Sequence, residues 1–304
     1  MSAPLVALLM VLVGVQFAAQ APVNGGLGRT VGPLAAALVS FAVGTAALLA
    51  ACALGGQLDG LSSIGEAPLW QLTGGLIGAT YVALAAITVS RIGAGVIAAV
   101  TVTGQLACSV VVDHFGWFGI EIHDVTGPRI LGLVLLLAGA MAMLYSREEA
   151  AGTPGSAGSR ERLALCAVIL VVSLAVGIQH PLNSELAVTV GDFGAGLVNF
   201  AVGTAALAVT VLVLGRSRGL LRLGRAERRY FLGGLIGTVV VVSSLSAVKV
   251  IGAAGLTAAL VTGQMIGSLI LDRIGAFGLT RIPIDRIRLL AAVALLAGTF
   301  LATG

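Results

Sequence analysis

One eight-residue stretch occurs twice in this chain without a single change. Residues 41–48 read Phe-Ala-Val-Gly-Thr-Ala-Ala-Leu, and residues 200–207 repeat them letter for letter, a shift of 159 positions. The same shift carries Gly74–Gly78 onto residues 233–237 and Thr103-Gly104-Gln105 onto residues 262–264. Internal repeats set the architecture of a chain before any local signal does. The sequence therefore predicts one unit that has been duplicated and fused.

The composition excludes a soluble core. The chain has 304 residues, of which 58% are hydrophobic and 10% charged, and its mean hydropathy is +1.08. Soluble domains carry about a quarter charged residues. The net charge of +4 comes from basic residues in loops between apolar runs, an arrangement typical of orientation in a bilayer rather than nucleic-acid binding. We expect a lipid bilayer and a small-molecule substrate as partners, and no nucleic acid.

Ten apolar runs are long enough to cross about 30 Å of hydrocarbon. They predict an all-α integral membrane fold with ten transmembrane helices in two inverted five-helix repeats. The predicted repeats are residues 1–146 and 163–304, joined by a flexible cytoplasmic linker at 147–162. The ten runs are 5–24, 34–54, 69–89, 94–113, 129–146, 163–182, 193–214, 231–248, 253–272 and 287–303.

The arginines and lysines predict how the chain is oriented. With the N-terminus outside, fifteen of the seventeen Lys and Arg residues fall in inner segments, as the positive-inside rule requires. The outer segments then hold only Arg129 and Lys249. We therefore expect both termini outside a bacterial inner membrane. An odd number of helices per repeat inverts the second copy, an architecture typical of transporters that alternate access.

Uncharged amides take the place of charges inside the predicted helices, since no Lys, Arg, Asp or Glu lies near the middle of a run. Amides four residues apart share one helix face, and buried amides need partners or water. Pro22 and Pro181 lie between the amides and predict a bend or break that acts as a gate. The alternative is that these amides only hold helices together. The residues of the two faces are Gln16, Gln20 and Asn24 in the first helix and Gln179 and Asn183 in the sixth.

The fourth and ninth helices supply further candidates for substrate binding. Thr101 and Gln105 lie on one face of the fourth helix, and Gln264 takes the corresponding place in the ninth. Tyr81 of the third helix is a candidate for stacking on a flat or cationic substrate. Asp113 and Asp272 end their helices, and we expect them to face lipid headgroups. We expect Gln105 and Gln264 to face one another across the midplane.

Four duplicated motifs resemble the drug/metabolite transporter superfamily, and within it the YdcZ-like branch. They are Gln20/Pro22/Asn24, Phe41/Gly44/Thr45, Gly74/Gly75/Gly78 and Thr103/Gly104/Gln105, each with its second copy. The resemblance covers nearly the whole chain except the linker. It implies a fold in which the first, third and fourth helices of each half surround a central cavity. The related small multidrug resistance transporters use a first-helix glutamate for proton coupling, where this chain has Gln16 and Gln20.

We expect a secondary-active transporter, an exporter of small polar or amphiphilic metabolites or drugs. A lipid carrier or flippase on the same scaffold is the alternative. The sequence has no HExxH motif and no nucleophile beside a base, so we expect no enzymatic activity, no cofactor and no metal site. A homodimer is left open by the sequence.

Overall fold

A computed structural model describes residues 1–92, 94–151, 158–278 and 281–303, and these residues form helices and connecting segments without a strand. Short 3₁₀ segments occupy the connections after α3 and α8. The α-helices are α1 (Ala3–Phe17), α2 (Gln20–Val31), α3 (Pro33–Leu54), α4 (Gly74–Ile92), α5 (Ala94–Phe115), α6 (Gly127–Ala151), α7 (Ser159–Val190), α8 (Asp192–Val213), α9 (Leu232–Ile274) and α10 (Arg286–Thr303).

The helices of the described residues have the length and composition of membrane spans. Seven helical stretches are long and apolar enough to cross a bilayer, and two shorter apolar stretches cover Leu69–Ala85 and Gly127–Met143. The stretch Arg228–Ile274 has 47 residues, about 70 Å of helix and more than twice the hydrocarbon thickness. Gly252 interrupts it with a φ of 70°, which glycine adopts without steric cost.

The first helix of each copy runs further than the sequence predicts. We expected ends at 24 and 182, but α2 continues to Val31 and α7 to Val190. Gly32 and Gly191 follow these ends with φ of 90° and 77°, a positive φ that glycine adopts without steric cost. Asn24 and Asn183 therefore lie inside helices and not at helix ends.

The segment between α6 and α7 is shorter than the linker that the sequence predicts. The helical residues of α6 continue to Ala151, and α7 begins at Ser159. Both ends of the predicted 147–162 segment are thus helical, so the expectation of a flexible linker is wrong there. Residues 152–157 of the predicted linker lie outside the described residues.

The chain divides into two compact units, and each takes segments from both halves of the sequence. The first unit comprises Met1–Ala18, Thr88–Ile178 and Ala247–Gly304, and the second comprises Ala19–Ile87 and Gln179–Ser246. The boundaries in the first half recur in the second, within one residue, after the shift of the repeat. The division of the chain therefore follows the duplicated pattern.

In the first unit, α6 and α10 pack closely through small residues. A Cβ added at Gly132 would lie 2.7 Å from the carbonyl oxygen of Gly298, and one at Gly139 would lie 2.9 Å from that of Ala291. The shift of the repeat carries Gly132 onto Ala291 and Gly139 onto Gly298, so it converts each contact into the other. The buried cluster around them includes Leu136 and Leu295, both fully enclosed. Small residues let apolar helices approach to backbone contact, and here they join the fifth helix of one copy to that of the other.

In the second unit, the duplicated Phe-x-x-Gly-Thr motifs meet one another. The rings of Phe41 and Phe200 have centroids 5.2 Å apart. Each ring occupies the place where a Cβ would stand on the other motif's glycine, Gly44 or Gly203. The hydroxyls of Thr45 and Thr204 share a hydrogen bond of 2.9 Å. Equivalent residues of the two copies thus contact each other, so α3 and α8 pack with local two-fold pseudo-symmetry.

Candidate functional site

The amides of α2 pack against the glycines at the start of α9. Gln20 Nε2 donates a hydrogen bond of 3.1 Å to the carbonyl oxygen of Gly233. Asn24 Oδ1 lies where a Cβ of Gly233 would be, and Gln20 Nε2 would lie 2.6 Å from a Cβ on Gly237. Only glycine leaves room for the two amides on this helix. The second copy of the Gly-Gly-x-x-Gly motif thus contacts the side chains of the first amide motif.

The second copy of the amide motif makes the same contact with the first copy of the glycine motif. Asn183 Oδ1 occupies the Cβ position of Gly74, and Gln179 Nε2 would lie 2.8 Å from a Cβ on Gly78. Asn183 Nδ2 also donates a hydrogen bond of 3.1 Å to Oδ1 of Asn199. The structure therefore brings Gln179 and Asn183 together with one residue that the sequence analysis did not single out. Asn199 was missed because its equivalent in the first copy is Ser40, so the repeat does not mark it.

Two amide oxygens of these contacts are buried without a conventional donor. Within the described part of the chain, Oδ1 of Asn24 and Oδ1 of Asn183 have no hydrogen-bond partner. Each points instead at the Cα of a glycine, a weak C–H···O arrangement that recurs where helices pack closely. Leaving a buried acceptor unpaired costs about 1–3 kcal/mol. These contacts are consequently places where a rearrangement that admits water to the amide is energetically inexpensive.

The two prolines have different effects on their helices. The helix is interrupted at Ala18 and Ala19, one turn before Pro22, and it resumes as α2 at Gln20. This is the position where the missing N–H of Pro22 leaves a carbonyl free. Pro181 lies inside α7, which continues through it. The helix is therefore interrupted one turn before Pro22 and not broken at Pro181. That either proline acts in a gate stays a prediction.

A nearby hydroxyl accounts for the continuity of α7. Ser109 Oγ donates a hydrogen bond of 3.4 Å to the carbonyl oxygen of Gly177, the carbonyl that Pro181 cannot bond. The hydroxyl of Ser109 also shares a hydrogen bond of 2.9 Å with the hydroxyl of Thr257. A carbonyl satisfied in this way has no need of water, and the helix can remain closed.

Gln105 and Gln264 lie at two equivalent helix contacts of the first unit. Gly177 of α7 packs against the backbone of Gln105, and Gly14 of α1 packs against the backbone of Gln264. Both glutamine side chains are half-buried. Among the residues that the structure describes, neither side chain has a hydrogen-bond partner. Each glutamine is thus close-packed at its backbone and half-exposed at its side chain. That they face one another stays a prediction.

The remaining candidates have different surroundings. Thr101 is buried and accepts a hydrogen bond of 3.4 Å from Ser173 Oγ, so it is tied to a neighbouring helix of the first unit. Gln16 belongs to α1 in the same unit and is half-buried. Tyr81 belongs to α4 in the second unit and is also half-buried. Gln16 lies in α1, and Gln20 and Asn24 lie in α2.

The expectation for the two aspartates is wrong, because neither faces headgroups. Asp113 is fully buried and pairs with Arg129, and it also accepts the backbone N–H groups of Ala253 and Ala254 at 2.6 and 3.0 Å. Gly252, just before these residues, approaches the same carboxylate. Asp113 thus caps the helical segment that begins there, where N–H groups have no partner within the helix.

Asp272 repeats this ion pair in the second copy. It is 1% exposed and pairs at 2.5 Å with Arg288, which is fully buried. The two ion pairs could have been predicted from the sequence, because each arginine lies sixteen residues after its aspartate and the two arginines are equivalent under the repeat. Arg129 and Arg288 therefore belong to buried pairs and carry no weight as loop charges. The predicted topology counts Arg288 inside and Arg129 outside. Leaving out both does not change the predicted excess of inner over outer Lys and Arg residues.

The number of long apolar helices among the described residues indicates a multi-pass membrane protein. A family model described as "Putative inner membrane exporter, YdcZ" matches residues 5–142 and again residues 164–301. The chain belongs to this family of the drug/metabolite transporters, which confirms the resemblance. The two matched segments are offset by the same shift that relates the duplicated motifs.

A solved crystal structure of a protein is similar to this chain with a TM-score of 0.68 and 16% sequence identity. The similarity covers 98% of this chain and 96% of that one. At this identity the match supports the fold alone. No curated protein matches the sequence.

Proposed function

We propose that this protein is a secondary transporter that exports a small polar or amphiphilic solute across the inner membrane by alternating access. One observation carries the proposal: the amide motif of each copy packs against the glycine motif of the other copy. Two equivalent contacts of this kind supply two equivalent closures. Exchanging which of them is open is the elementary step of alternating access.

The proposed architecture has ten membrane crossings in two inverted five-helix repeats, with both termini outside. The interruption of α9 at Gly252 supports counting that helix as two crossings, since the helical stretch is longer than twice the hydrocarbon thickness. Inversion is supported by the exchanged contacts, in which Gly132 meets Gly298 and Phe41 meets Phe200. Contacts that are converted into each other by the shift of the repeat are related by a two-fold axis. An axis in the membrane plane is the arrangement found in inverted-repeat transporters.

We assign substrate binding to uncharged hydrogen-bonding groups, with Gln105 and Gln264 as the principal residues. Their half-buried, unpartnered amides support this role, and Gln16, Thr101 and Tyr81 are the secondary candidates. Amides satisfy donors and acceptors of a solute without compensating a net charge. The solute is therefore expected to be neutral or zwitterionic where it meets these residues, and it does not depend on a deep carboxylate of the transporter.

We assign gating to the contacts of Asn24 with Gly233 and of Asn183 with Gly74. Both contacts are formed in this structure, which the proposal treats as an occluded state. On the proposed orientation, α2 ends toward the cytoplasm and α7 ends toward the outside. Asn24, with Gln20 and Pro22, then belongs to an inner gate, and Asn183, with Gln179 and Pro181, belongs to an outer gate.

The experiment compares the accessibility of single cysteines placed beyond each gate. Gly25→Cys reports on the inner end and Glu185→Cys on the outer end, in a background where the three native cysteines are replaced by alanine. Asn24→Ala is expected to raise labelling at the inner position, and Asn183→Ala at the outer position. Shifts in the same direction, or none, would mean that the amides only hold helices together.

Transport itself is tested in proteoliposomes with panels of neutral, zwitterionic and cationic solutes. A fluorescent lipid in the same vesicles separates solute export from lipid movement. Loss of solute transport in the glutamine variants, with lipid distribution unchanged, supports the proposal. Lipid translocation that depends on the same glutamines would instead favour a flippase.

A further inference from the structure

The connection between α8 and α9 concentrates positive charge at one end of the second unit. Six arginines occur within fourteen residues, and all six are exposed. Arg229 pairs with Glu227 at 2.8 Å. Among the described residues, no ion-pair partner is present for the other five. The six are Arg216, Arg218, Arg222, Arg225, Arg228 and Arg229.

The fold of this connection does not require the arginines. The 3₁₀ segment Ser217–Arg225 packs on the end of α2, where Gly219 lies against the carbonyl of Val31. The equivalent segment Asp59–Glu66 packs on the end of α7 in the same way, through Gly60. Yet the first copy has Asp59 and Glu66 where the second has Arg218 and Arg225. The same local structure thus forms with opposite charges, so the arginines have a role other than folding.

Apolar side chains alternate with the arginines on the exposed surface. Leu221 is 88% exposed and Leu214 is 49% exposed. They follow directly from α8, whose last apolar residues are also exposed. Exposed leucines among arginines, at the level where an apolar helix ends, are typical of a segment that lies in the membrane interface.

Tyr230 directly follows the last of the six arginines. It is buried, the guanidinium of Arg229 lies 5.0 Å from its ring centroid, and that of Arg29 lies 6.0 Å away. Arg29 and Arg229 also donate hydrogen bonds to the tyrosine hydroxyl at 3.4 and 3.3 Å. Tyr230 thus holds two guanidinium groups beside the arginine-rich connection, with Glu227 as the counter-charge of Arg229.

We propose that the arginine-rich segment 214–230 binds the anionic headgroups of phospholipids in the leaflet that it faces. Guanidinium groups suit phosphate because they offer several donors in a planar fork. Basic residues near an anionic bilayer surface are attracted to it, and the attraction weakens with salt. The leucines enter the interface while the arginines contact phosphates, which anchors the start of α9 against the bilayer.

The test measures lipid retention by the purified full-length protein in a neutral detergent. Dioleoylphosphatidylglycerol and dioleoylphosphatidylcholine are added separately, and bound lipids are counted by native mass spectrometry. The wild-type protein is expected to retain phosphatidylglycerol roughly tenfold more tightly, with the preference reduced at about 0.5 M salt. This measurement does not depend on the orientation of the protein in a cell.

The decisive variant gives the second copy the residues of the first, as Arg218→Asp with Arg225→Glu. It is expected to abolish the preference, and the Arg218→Gln, Arg225→Gln variant is expected to reduce it to roughly threefold. The matched control Arg160→Gln with Arg162→Gln removes two exposed arginines at the start of α7 and should retain the preference. Melting temperatures check that each variant is folded.

Three results would overturn the proposal. The wild type could show no preference, the charge-reversed variant could keep it, or the control variant could lose it equally. Inorganic phosphate at the same concentration is a separate arm, and displacement of the lipid by it would indicate a free-anion site. A short single-stranded DNA that binds as tightly as the lipid would indicate unspecific attraction of polyanions.

Discussion

At the scale of single residues, the unusual feature is that side-chain amides occupy positions where other residues would have a Cβ. Asn24 and Asn183 need Gly233 and Gly74, and neither glycine could be interpreted from its own helix alone. The sequence did not identify the partner of either glycine. The partner belongs to the other copy, and spacing within one helix carries no information about a distant helix.

Alanine at Gly74 or Gly233 is expected to disrupt these contacts. The added methyl group would overlap with the asparagine oxygen, and overpacking of this kind costs about 1–3 kcal/mol. Both variants should lower the melting temperature and reduce transport. Combining Gly74→Ala with Asn183→Ala should recover part of the stability, because the second change removes the overlap.

The control for this prediction is Gly25→Ala. Gly25 lies exposed in α2, and a Cβ there meets nothing within 4 Å. Alanine favours a helix more than glycine does, so this variant should be as stable as the wild type or slightly more so. Equal behaviour of Gly74→Ala and Gly25→Ala would contradict the packing described above.

Leucine at Gln105 or Gln264 is expected to abolish transport without loss of folding. Leucine has a similar volume and removes hydrogen bonding, and these amides have no hydrogen-bond partner among the described residues. Uptake into proteoliposomes measures transport, and size-exclusion profiles measure folding. Gln57→Leu, in an exposed connection, is the control. Normal transport by both leucine variants would place the site elsewhere.

At the scale of helices, the strongest ties are polar contacts that fix helix ends. Asp113 joins the end of α5 to Arg129 of α6 and to backbone N–H groups of α9. The sequence analysis placed both aspartates in headgroups because terminal carboxylates commonly face water. Burial reverses that expectation here, since a paired carboxylate at a helix start is stabilised by both the cation and the N–H groups.

Replacing Asp113 by asparagine is expected to destabilise the protein strongly. It leaves Arg129 buried without a counter-charge, which costs about 3–5 kcal/mol. The double variant Asp113→Leu, Arg129→Met should recover part of this loss, although the N–H groups of Ala253 and Ala254 remain without their acceptor. Melting temperatures in detergent measure both. The exposed Asp124→Asn is the control, and a melting temperature equal to that of Asp113→Asn would argue against the buried pair.

The start of α10 provides a pH-dependent contact that its counterpart lacks. Asp285 Oδ1 accepts the backbone N–H of Arg288 at 2.8 Å, and Ser146 Oγ donates to Oδ2 at 3.0 Å. The first of these hydrogen bonds is the main reason that the pKa of Asp285 lies below its ordinary value of 3.8. At the start of α6, Thr126 takes the same place and accepts the N–H of Arg129 at 3.4 Å.

The stabilisation by Asp285 should therefore be present above about pH 4 and disappear as the pH falls through the lowered pKa. Asp285→Thr introduces the cap of the first copy, which does not titrate. We expect the wild type to lose more stability than this variant between about pH 5 and pH 3. Parallel melting curves across that range would show that the carboxylate contributes nothing.

At the scale of the whole molecule, the sequence predicted the repeat, the helical class and the family, because apolar length and repeat register are properties of the chain itself. Helix ends were predicted less well, since Gly32 and Gly191, not the prolines, terminate the first helices. The division into units could not be predicted, because each unit combines segments of both halves. Which helices pack together depends on side chains that meet only after folding.

The proposed topology is testable with single cysteines in a background lacking native ones. Gly158→Cys, exposed before α7, should label only after the membrane is permeabilised. Ser62→Cys, exposed between α3 and α4, should label in intact cells. External labelling of residue 158 would reverse the orientation and exchange the inner and outer gates.

The difference between Ser40 and Asn199 has a consequence for the resting state of the transporter. Asn199 gives Asn183 a hydrogen bond, while Ser40 gives Asn24 none among the described residues. One such bond contributes about 1 kcal/mol, a roughly fivefold bias between two otherwise matched closures. On the proposed orientation, the outer gate is the more stable of the two closures, and the inner gate opens more readily in the absence of solute. An idle exporter biased in this way is already poised to take solute from the cytoplasm, and Ser40→Asn should remove that readiness.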